Sequence, residues 1–376
     1  MPGVRVATDT ILSSAPEADE TQARDRLAER VLESVIGSFD VASIYLGDRL
    51  GYYTAIADAG AMTAGELAAR TGTYPRYARE WLEQQAVTGF LTVDDASLAP
   101  DERRYTLPPG HAEVLTDRDS LAYMAPSARQ LIGSLAPLPA VLEAFRSGGG
   151  VDYTDYGPDI RDGIAEGNRA LFVNLLGSDW FPAIPVIDRR LKADPPARVV
   201  DFGCGSGWSS ITIARAYPTV HVDGFDLDTA SVAQAQTNVT AEGLTDRVHI
   251  EERDAADPAL AGRYDLACAF ECIHDMAAPV GALRTMRRLV GDDGIVLVVD
   301  EAVAESFAAP GEWVERLMYG FSIFHCLPVG MTERPSAETG TVMRPDTLRR
   351  YAAEAGFRDM TIAPVTNDLW RFYLLT

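Results

Sequence analysis

Residues Val199 to Gly207 read VVDFGCGSG, and this stretch decides the fold of the chain. The β-branched pair Val199 and Val200 leads into Asp201, which is typical of a buried parallel strand. Three glycines follow, Gly203, Gly205 and Gly207. They permit a turn in which the backbone approaches a ligand closely. Residues 208–217 then contain no helix breaker, so strand, turn and helix predict a ligand-binding crevice at the carboxyl edge of a sheet.

The remainder of the carboxy-terminal half alternates strand and helix patterns. Strands are predicted at 220–225, 248–251, 264–270, 295–299, 360–364 and 369–374. With residues 199–202 they give a seven-stranded, Rossmann-like α/β sheet. The last two strands form a hairpin, which predicts an antiparallel edge on an otherwise parallel sheet.

Length and composition exclude several classes of protein. At 376 residues the chain exceeds one ordinary core, so two domains are expected. A formal net charge of −22 argues against a nucleic-acid partner, which needs clustered Lys and Arg. The four cysteines form no CxxC pair and have no histidine at metal spacing, which predicts reduced thiols, no metal site and a cytoplasmic protein. No apolar run is long enough for a membrane span.

The amino-terminal half reads as a separate, mostly helical module. Residues 1–20 are expected to form a flexible tail, and residues 21–125 a winged-helix-like dimerisation domain. Within the helix-turn-helix pattern, at residues 61–90, three arginines are balanced by three glutamates, whereas DNA-reading helices carry a basic excess. Residues 126–195 are assigned to a helical linker and cap. Residues 196–376 form the carboxy-terminal domain, with an inserted segment at about 302–344.

The glycine turn itself separates two classes of cofactor. A dinucleotide fingerprint GxGxxG counted from Gly203 would require glycine at the position of Trp208. Asp201 would repel a pyrophosphate but attract a cofactor that has a cationic end. Asp226 ends the next strand, where a ribose-binding acid is expected. The nicotinamide reading is therefore the weaker one.

The order VVDFGCGSG, GFDLD, ERDAAD and YDLACAFECIHDM resembles the motifs of class I S-adenosylmethionine (SAM)-dependent methyltransferases. More closely, it resembles small-molecule, O-methyltransferase-like enzymes whose catalytic domain follows a winged-helix-like domain. The resemblance implies an enzyme that uses SAM, acts on a small-molecule acceptor and forms a homodimer. It covers residues 198–376 well and the amino-terminal half only as architecture.

The resemblance also assigns residues to the methionine end of the cofactor. Gly203, Cys204, Gly205 and Gly207 would line it, and Asp201 would lie near its cationic amino group.

The nucleoside end is assigned in the same way. Asp226 would accept the ribose hydroxyls, and Leu227 would pack against the adenine. Asp254 would receive the adenine amino group with Ala255 beside it. Glu271 would lie near the sulfonium. The plainer alternatives are that Asp254 caps a turn, that Glu271 is solvated and that Cys204 is merely a small residue.

His274 is the candidate catalytic base. It follows the fourth strand, and imidazole titrates near working pH. Its segment is similar to the HDW signature of plant-type O-methyltransferases, whose histidine removes the acceptor proton, although Met276 stands in place of tryptophan. The alternative is a structural histidine that holds the loop.

The inserted segment carries the candidate acceptor residues Trp313, Met318, Tyr319, Phe321 and His325. Their helical spacing favours an apolar cover over a hydrophobic or aromatic acceptor, although a dimer interface would have the same composition. Asp300 and Glu301 at its base are second-rank polar contacts. The tyrosine pair Tyr153 and Tyr156 could close over a ligand, but packing is the favoured reading.

Oxygen is the first choice of accepting atom because of His274. A C- or N-methyltransferase that works by alignment alone is one alternative. A non-catalytic, SAM-binding winged-helix regulator is the other.

Overall fold

The computed structural model describes residues 14–376; residues 1–13, most of the predicted tail, lie outside the described part. The remainder of that tail is helical, because the first helix, α1, spans Ser14–Arg49. The chain divides into two compact units, one ending at Ala112 and one comprising Glu113–Thr376.

The first unit is a small helical domain with a two-stranded wing. After α1 come α2 (Tyr52–Ala59), α3 (Ala64–Thr71), α4 (Pro75–Val87), β1 (Thr92–Val93) and β2 (Tyr105–Thr106). A capping box starts α3, since the Thr63 side chain and the Glu66 side chain each bond the backbone N–H of the other residue. The strands β1 and β2 pair antiparallel. This order of elements agrees with the predicted winged helix.

One tryptophan organises the core of this unit. The Trp81 ring meets Tyr52 and Tyr53 edge-on, with ring centroids 4.8 and 5.1 Å apart. Its indole N–H donates to the Ser43 carbonyl at 2.8 Å, so α4 is tied to the carboxy-terminal end of α1. A buried aromatic cluster of this kind stabilises a small domain by several kcal/mol, roughly 1.5–3 for each large apolar side chain.

The second unit opens with helices that lead into the sheet. They are α5 (Pro109–Thr116), which spans the division between the units, α6 (Ala125–Leu135), α7 (Leu138–Ser147), α8 (Gly157–Leu171) and α9 (Pro185–Lys192). A 3-10 turn at Tyr153–Tyr156 precedes α8, and a π-helical segment at Phe172–Trp180 follows it. Glycine lets α6 and α8 cross closely, because a Cβ at Gly133 would lie 2.4 Å from the Ile160 nitrogen.

The sheet has seven strands in the order β5-β4-β3-β6-β7-β9-β8. They span Arg198–Phe202 (β3), His221–Asp226 (β4), Val248–Glu252 (β5), Leu266–Phe270 (β6), Ile295–Glu301 (β7), Met360–Ile362 (β8) and Trp370–Leu375 (β9). The strands β3 to β7 are parallel, whereas β9 lies antiparallel between β7 and β8. The predicted α/β fold and its antiparallel edge are therefore confirmed.

Helices cover both faces of this sheet. They are α10 (Trp208–Ala216), α11 (Thr229–Ala241), α12 (Pro279–Val290) and α15 (Pro345–Ala355). Alternate residues of β3 face opposite cores, with Val199 on one side and Val200 and Phe202 on the other. The segment between β7 and α15 contains α13 (Trp313–Phe321), a π-helical turn at Ser322–Cys326 and α14 (Leu327–Gly330).

Among the described residues, no single helix has the length and apolarity to cross a membrane. Only the bent pair Tyr153–Trp180 and Pro185–Lys192, whose arms meet at 90°, meets that test jointly.

Candidate cofactor and active site

The glycine turn follows β3, and its backbone has a conformation that other residues rarely adopt. Gly203, Gly205 and Gly207 have φ angles of +64°, +53° and +81°. A Cβ at Gly203 would lie 2.8 Å from the Cβ and Sγ atoms of Cys272. The turn is held to β4, because the N–H groups of Gly203 and Cys204 donate to the Phe225 carbonyl at 2.8 and 3.2 Å.

Asp201 is fully buried near the end of β3. Its Oδ2 accepts hydrogen bonds from the hydroxyls of Ser209 and Ser210, each at 2.6 Å. Its Oδ1 is buried and has no hydrogen-bond partner within residues 14–376. Burial raises the pKa of this carboxyl to about 6. An unpaired carboxylate oxygen at the entrance to the glycine turn fits a cationic ligand group.

Asp226 ends β4 beside the same turn. Its Oδ2 accepts from the Gly205 N–H at 2.8 Å, and its Oδ1 from the Asp228 N–H at 2.9 Å. Burial raises the pKa of Asp226. Leu227 is 63% exposed, so its side chain presents an apolar surface next to this acid.

Asp254 and Ala255 follow the adjacent strand β5. The Arg253 N–H donates to the Asp226 carbonyl at 2.9 Å, which continues the pairing of β4 and β5 beyond their ends. Asp254 is exposed, and its Oδ1 accepts from the Ala256 N–H at 2.8 Å, so this acid does close a turn. Ala255 is half-buried against the core on that face. One carboxylate oxygen of Asp254 stays open to a ligand.

Glu271 follows β6, and both of its carboxylate oxygens accept hydrogen bonds. Oε2 accepts from the Asn168 side-chain amide at 2.5 Å, and Oε1 accepts from the Trp370 indole N–H. The backbone of Glu271 is left-handed, with φ of +50°, which costs a residue with a side chain of this size of order 1 kcal/mol. Burial raises the pKa of Glu271 to about 7. The solvated alternative for this side chain does not match these contacts.

His274 lies buried beneath the ends of β6 and β7. Its Nδ1 is 2.8 Å from Asp300 Oδ1 and 3.2 Å from Glu301 Oε2. Burial alone would lower the pKa of His274, but Glu301 and Asp300 outweigh burial and raise the pKa well above its ordinary value. The hydrogen bond to Asp300 places a proton on Nδ1 and makes the imidazole a stronger base.

The acids around His274 differ in how readily they ionise. Burial raises the pKa of Asp275 to about 6, and it raises that of Glu301 well above the ordinary range. Burial also opposes ionisation of Asp300, but the charge of His274 prevails and lowers the Asp300 pKa. The donor atoms of His274, Asp300 and Glu301 lie within 4.8 Å of one another and could also ligand a cation. The hydrogen bond between His274 and Asp300 accounts for part of this cluster, whereas Asp300 Oδ2 and Glu301 Oε2 are buried without a hydrogen-bond partner among the described residues. The absence of a metal stays a prediction.

Cys326 connects His274 with His325. Its Sγ lies within 4.8 Å of a ring nitrogen of His274 and 3.5 Å from His325 Nδ1. The His325 ring meets those of Tyr153 and Tyr156 edge-on, with centroids 5.7 and 4.7 Å apart. Burial and the charge of His274 lower the pKa of His325 to about 3, so this imidazole is neutral.

The other predicted acceptor residues do not converge on one point. Met318 and Phe321 pack with Val303 in a small satellite core. Trp313 and Tyr319 are exposed, the former to 55%. Of the five predicted acceptor residues, the structure brings only His325 next to the His274 cluster.

Several residues of this region carry no local sequence signal. Asn168 reaches Glu271 from α8 across 103 positions of the chain, and Cys326 reaches His274 from the inserted segment. Neither belongs to a motif, so only the fold brings them to the site. Ser209 and Ser210 follow the glycine turn after Trp208, and two hydroxyls so close to a buried acid are the one signal in the sequence for their contact with Asp201.

Two family models match the chain. Residues 182–362 match the family described as a methyltransferase domain. Residues 41–117 match the family described as an Rv2258c-like winged HTH domain.

Curated relatives match only short stretches. A polyketide synthase, ThaQ of Burkholderia thailandensis, is 31% identical over 104 residues, which is 28% of this chain and 5% of that protein. The tRNA1(Val) (adenine(37)-N6)-methyltransferase of Yersinia pestis is 40% identical over 81 residues, 21% of this chain and 28% of that enzyme. The chain thus spans about a quarter or less of the length of these relatives.

Solved structures match nearly the whole chain. The mitomycin 7-O-methyltransferase superposes with a TM-score of 0.68 at 18% identity and covers 94% of this chain and 99% of that one. Human N-acetylserotonin methyltransferase, solved with SAM, gives 0.67 at 17% identity, with 93% and 97% covered. An N,N-8-amino-8-demethyl-D-riboflavin dimethyltransferase from Streptomyces davawensis gives 0.60 at 20% identity, with 93% and 98% covered. At these identities the likeness establishes the fold.

The family matches confirm the predicted methyltransferase domain and the predicted winged-helix-like domain. The methyltransferase domain implies SAM as the cofactor. The chain joins an Rv2258c-like winged helix-turn-helix domain to a methyltransferase domain with the class I, O-methyltransferase-like fold of SAM-dependent enzymes.

Proposed function

We propose that this protein transfers the methyl group of SAM to a hydroxyl oxygen of a small aromatic or otherwise apolar metabolite, with His274 as the general base. The observation that carries the proposal is the 2.8 Å contact between His274 Nδ1 and Asp300 Oδ1. When the imidazole is neutral, its Nδ1 proton faces Asp300 and Nε2 carries the lone pair, which is the arrangement that a base requires.

The residues after β3, β4 and β5 fit the cofactor. The unpaired Asp201 Oδ1 suits the cationic amino group, and Asp226, Leu227 and Asp254 stand at neighbouring strand ends. At Gly205 no atom lies within 4 Å of the position that a Cβ would take, which leaves room for a ligand against the backbone. Bound SAM would supply an electrophilic methyl group, so the chain has chiefly to align an acceptor and exclude water.

His274 would take the acceptor's hydroxyl proton on Nε2, while the ionised Asp300 stabilises the imidazolium that results. The charge stays buried but paired, which removes most of the cost of forming it. Tyr153, Tyr156 and His325 give this part of the protein an aromatic character, which supports an apolar acceptor.

The direct test is incubation of the full chain with SAM and a panel of phenols, hydroxyquinones and indoles, followed by mass spectrometry. We expect a product that has gained one methyl group on oxygen, with stoichiometric S-adenosylhomocysteine (SAH). Phenols blocked at oxygen should give none. Methylation confined to indole carbon or to amines would instead favour the alternative in which alignment suffices without a base.

The winged helix does not support the regulator alternative. The three arginines of residues 61–90 are each paired with an acid: Arg70 with Asp58 at 4.0 Å, Arg76 with Glu80, and Arg79 with Asp101 at 3.2 Å. Paired cations are poor phosphate ligands. We therefore infer no nucleic-acid partner. The four cysteines are buried free thiols, which supports action in the cytoplasm.

We also propose a homodimer that is formed through α1. The helix exposes a series of large apolar side chains: Leu27, Val31, Leu32, Val35, Ile36 and Phe39. Phe39 is 68% exposed and Leu27 is 60% exposed. A patch of this kind on a single helix marks a protein interface, and a second copy of the same helix offers a matching surface.

Introducing charge into this surface should separate the subunits. We expect light scattering to give the dimer mass for the wild type and the monomer mass for Val31→Glu combined with Phe39→Glu, because burying two carboxylates in an apolar interface is costly. Glu29→Gln on the same exposed helix is the matched control and should remain dimeric. A monomeric wild type would exclude this interface.

A further inference from the structure

The helix α8 contacts the carboxyl ends of three neighbouring strands. Arg161 lies 3.5 Å from Asp228, which follows β4. The Arg169 guanidinium lies 4.5 Å from the ring centroid of Trp208, the residue after the glycine turn of β3. Asn168 donates to Glu271, which follows β6. The strands β4, β3 and β6 are adjacent in the sheet, so α8 extends across the crevice between them.

The dimensions agree with this arrangement. From Arg161 to Asn168 a helix advances about 10 Å, at 1.5 Å per residue. Two strand spacings, from β4 through β3 to β6, also amount to about 10 Å. One polar contact, Arg161–Asp228 or Asn168–Glu271, therefore falls at each side of the crevice.

The Glu271 contact differs from the other two in how firmly it is fixed. Arg161 and Asp228 form one long ion pair, and the Arg169–Trp208 contact is a cation–π contact. Glu271 instead accepts two hydrogen bonds, from Asn168 on α8 and from Trp370 on β9. Hydrogen bonds to a carboxylate are about twice as strong as neutral ones. The backbone of Glu271 is strained, and backbone strain of this kind is found preferentially at functional sites.

We propose that Glu271 is a positioning residue that fastens α8 across the crevice through Asn168 and thereby retains the bound cofactor. The inference rests on the proposed function only in taking this crevice as the cofactor site. Glu271 would then act on SAM and on SAH alike, since a cover holds both. A carboxylate in direct contact with the sulfonium would instead discriminate between them, because SAH lacks that charge.

Calorimetry with SAM and with SAH separates these roles. For Asn168→Ala and for Glu271→Gln we expect the affinities for SAM and SAH to fall by the same factor, about tenfold, because a charge-assisted hydrogen bond is lost in each. The two substitutions remove one link, so the double variant should bind as weakly as either single variant. Glu354→Gln, on the exposed side of α15, is the matched control and should bind as the wild type does.

Steady-state kinetics supply a second readout that general destabilisation would not give. For Asn168→Ala the KM for SAM should rise about tenfold while kcat at saturation stays within about threefold of the wild type. Thermal melting checks that each variant folds. If Glu271→Gln does not fold, Asn168→Ala still tests the same hydrogen bond.

Three results would overturn the inference. They are unchanged affinities in Asn168→Ala, a loss confined to SAM, and additive losses in the double variant. These results would leave the proposed methyl transfer intact. A wild type that binds neither SAM nor SAH would refute the proposed function itself, and the cover with it.

Discussion

Replacing His274 by alanine is expected to lower kcat by about a hundredfold to ten-thousandfold, the usual contribution of a positioned general base. The reason is the environment of the imidazole: Asp300 and Glu301 hold Nδ1 and raise the pKa, so that Nε2 can take a proton. The affinity for SAM, measured by calorimetry, should change by less than about twofold, since no assigned cofactor contact is removed.

His249→Ala is the control for this experiment. His249 is an exposed residue of β5 with no assigned role, so its replacement should leave kcat and SAM affinity unaltered. Unchanged turnover in His274→Ala would remove His274 as the base and favour transfer by alignment alone. A large loss of SAM affinity together with a lower melting temperature would indicate the structural histidine.

The second large effect is expected from Asp300→Asn. Asp300 fixes the Nδ1 proton of His274 at 2.8 Å, and an amide can present either its oxygen or its nitrogen there. A misoriented base with a less stabilised imidazolium should lower kcat by about a hundredfold or more. The effect should be on kcat with little change in KM for SAM.

The same substitution should move the pH profile. Glu301 and Asp300 raise the pKa of His274, and only the neutral imidazole above that pKa can accept a proton. Activity of the wild type should therefore rise with pH through the raised pKa and be lost below it. Removing the charge of Asp300 lowers that pKa, so the acid limb of kcat/KM should shift to lower pH. The control Asp293→Asn, at an exposed turn before β7, should leave the acid limb of the kcat/KM profile at the same pH.

The sheet could be predicted from the sequence because its signals are local. A buried strand, a glycine turn and a helix are encoded within residues 199–217, and the parallel strands repeat that pattern. The antiparallel edge followed from two short strands near residues 360 and 370. The order of these two strands in the sheet could not be predicted. β9 inserts between β7 and β8, and this pairing depends on long-range packing that no local pattern encodes.

The residues of the candidate site likewise divide into those that the sequence predicts and those that it does not. The turn glycines, Asp201, Asp226 and His274 stand at strand ends, where the topology of an α/β sheet fixes their position. The partners of Glu271 could not be predicted, because Asn168 and Trp370 are 103 and 99 positions away. The inserted segment was predicted from helical spacing alone, which does not tell which face is buried. Met318 is accordingly packed in a satellite core while Trp313 is exposed.

Two tryptophans stand where bound cofactor would alter their surroundings. Trp208 begins α10 directly after the glycine turn and carries the Arg169 guanidinium on its ring. Trp370 donates its indole N–H to Glu271 and packs against Phe172 and Trp180. Indole emission responds to nearby charge and to hydrogen bonding of the ring nitrogen. We therefore expect SAM bound at the proposed site to change the tryptophan emission of the unmodified chain, so that cofactor exchange is followed in real time without a label.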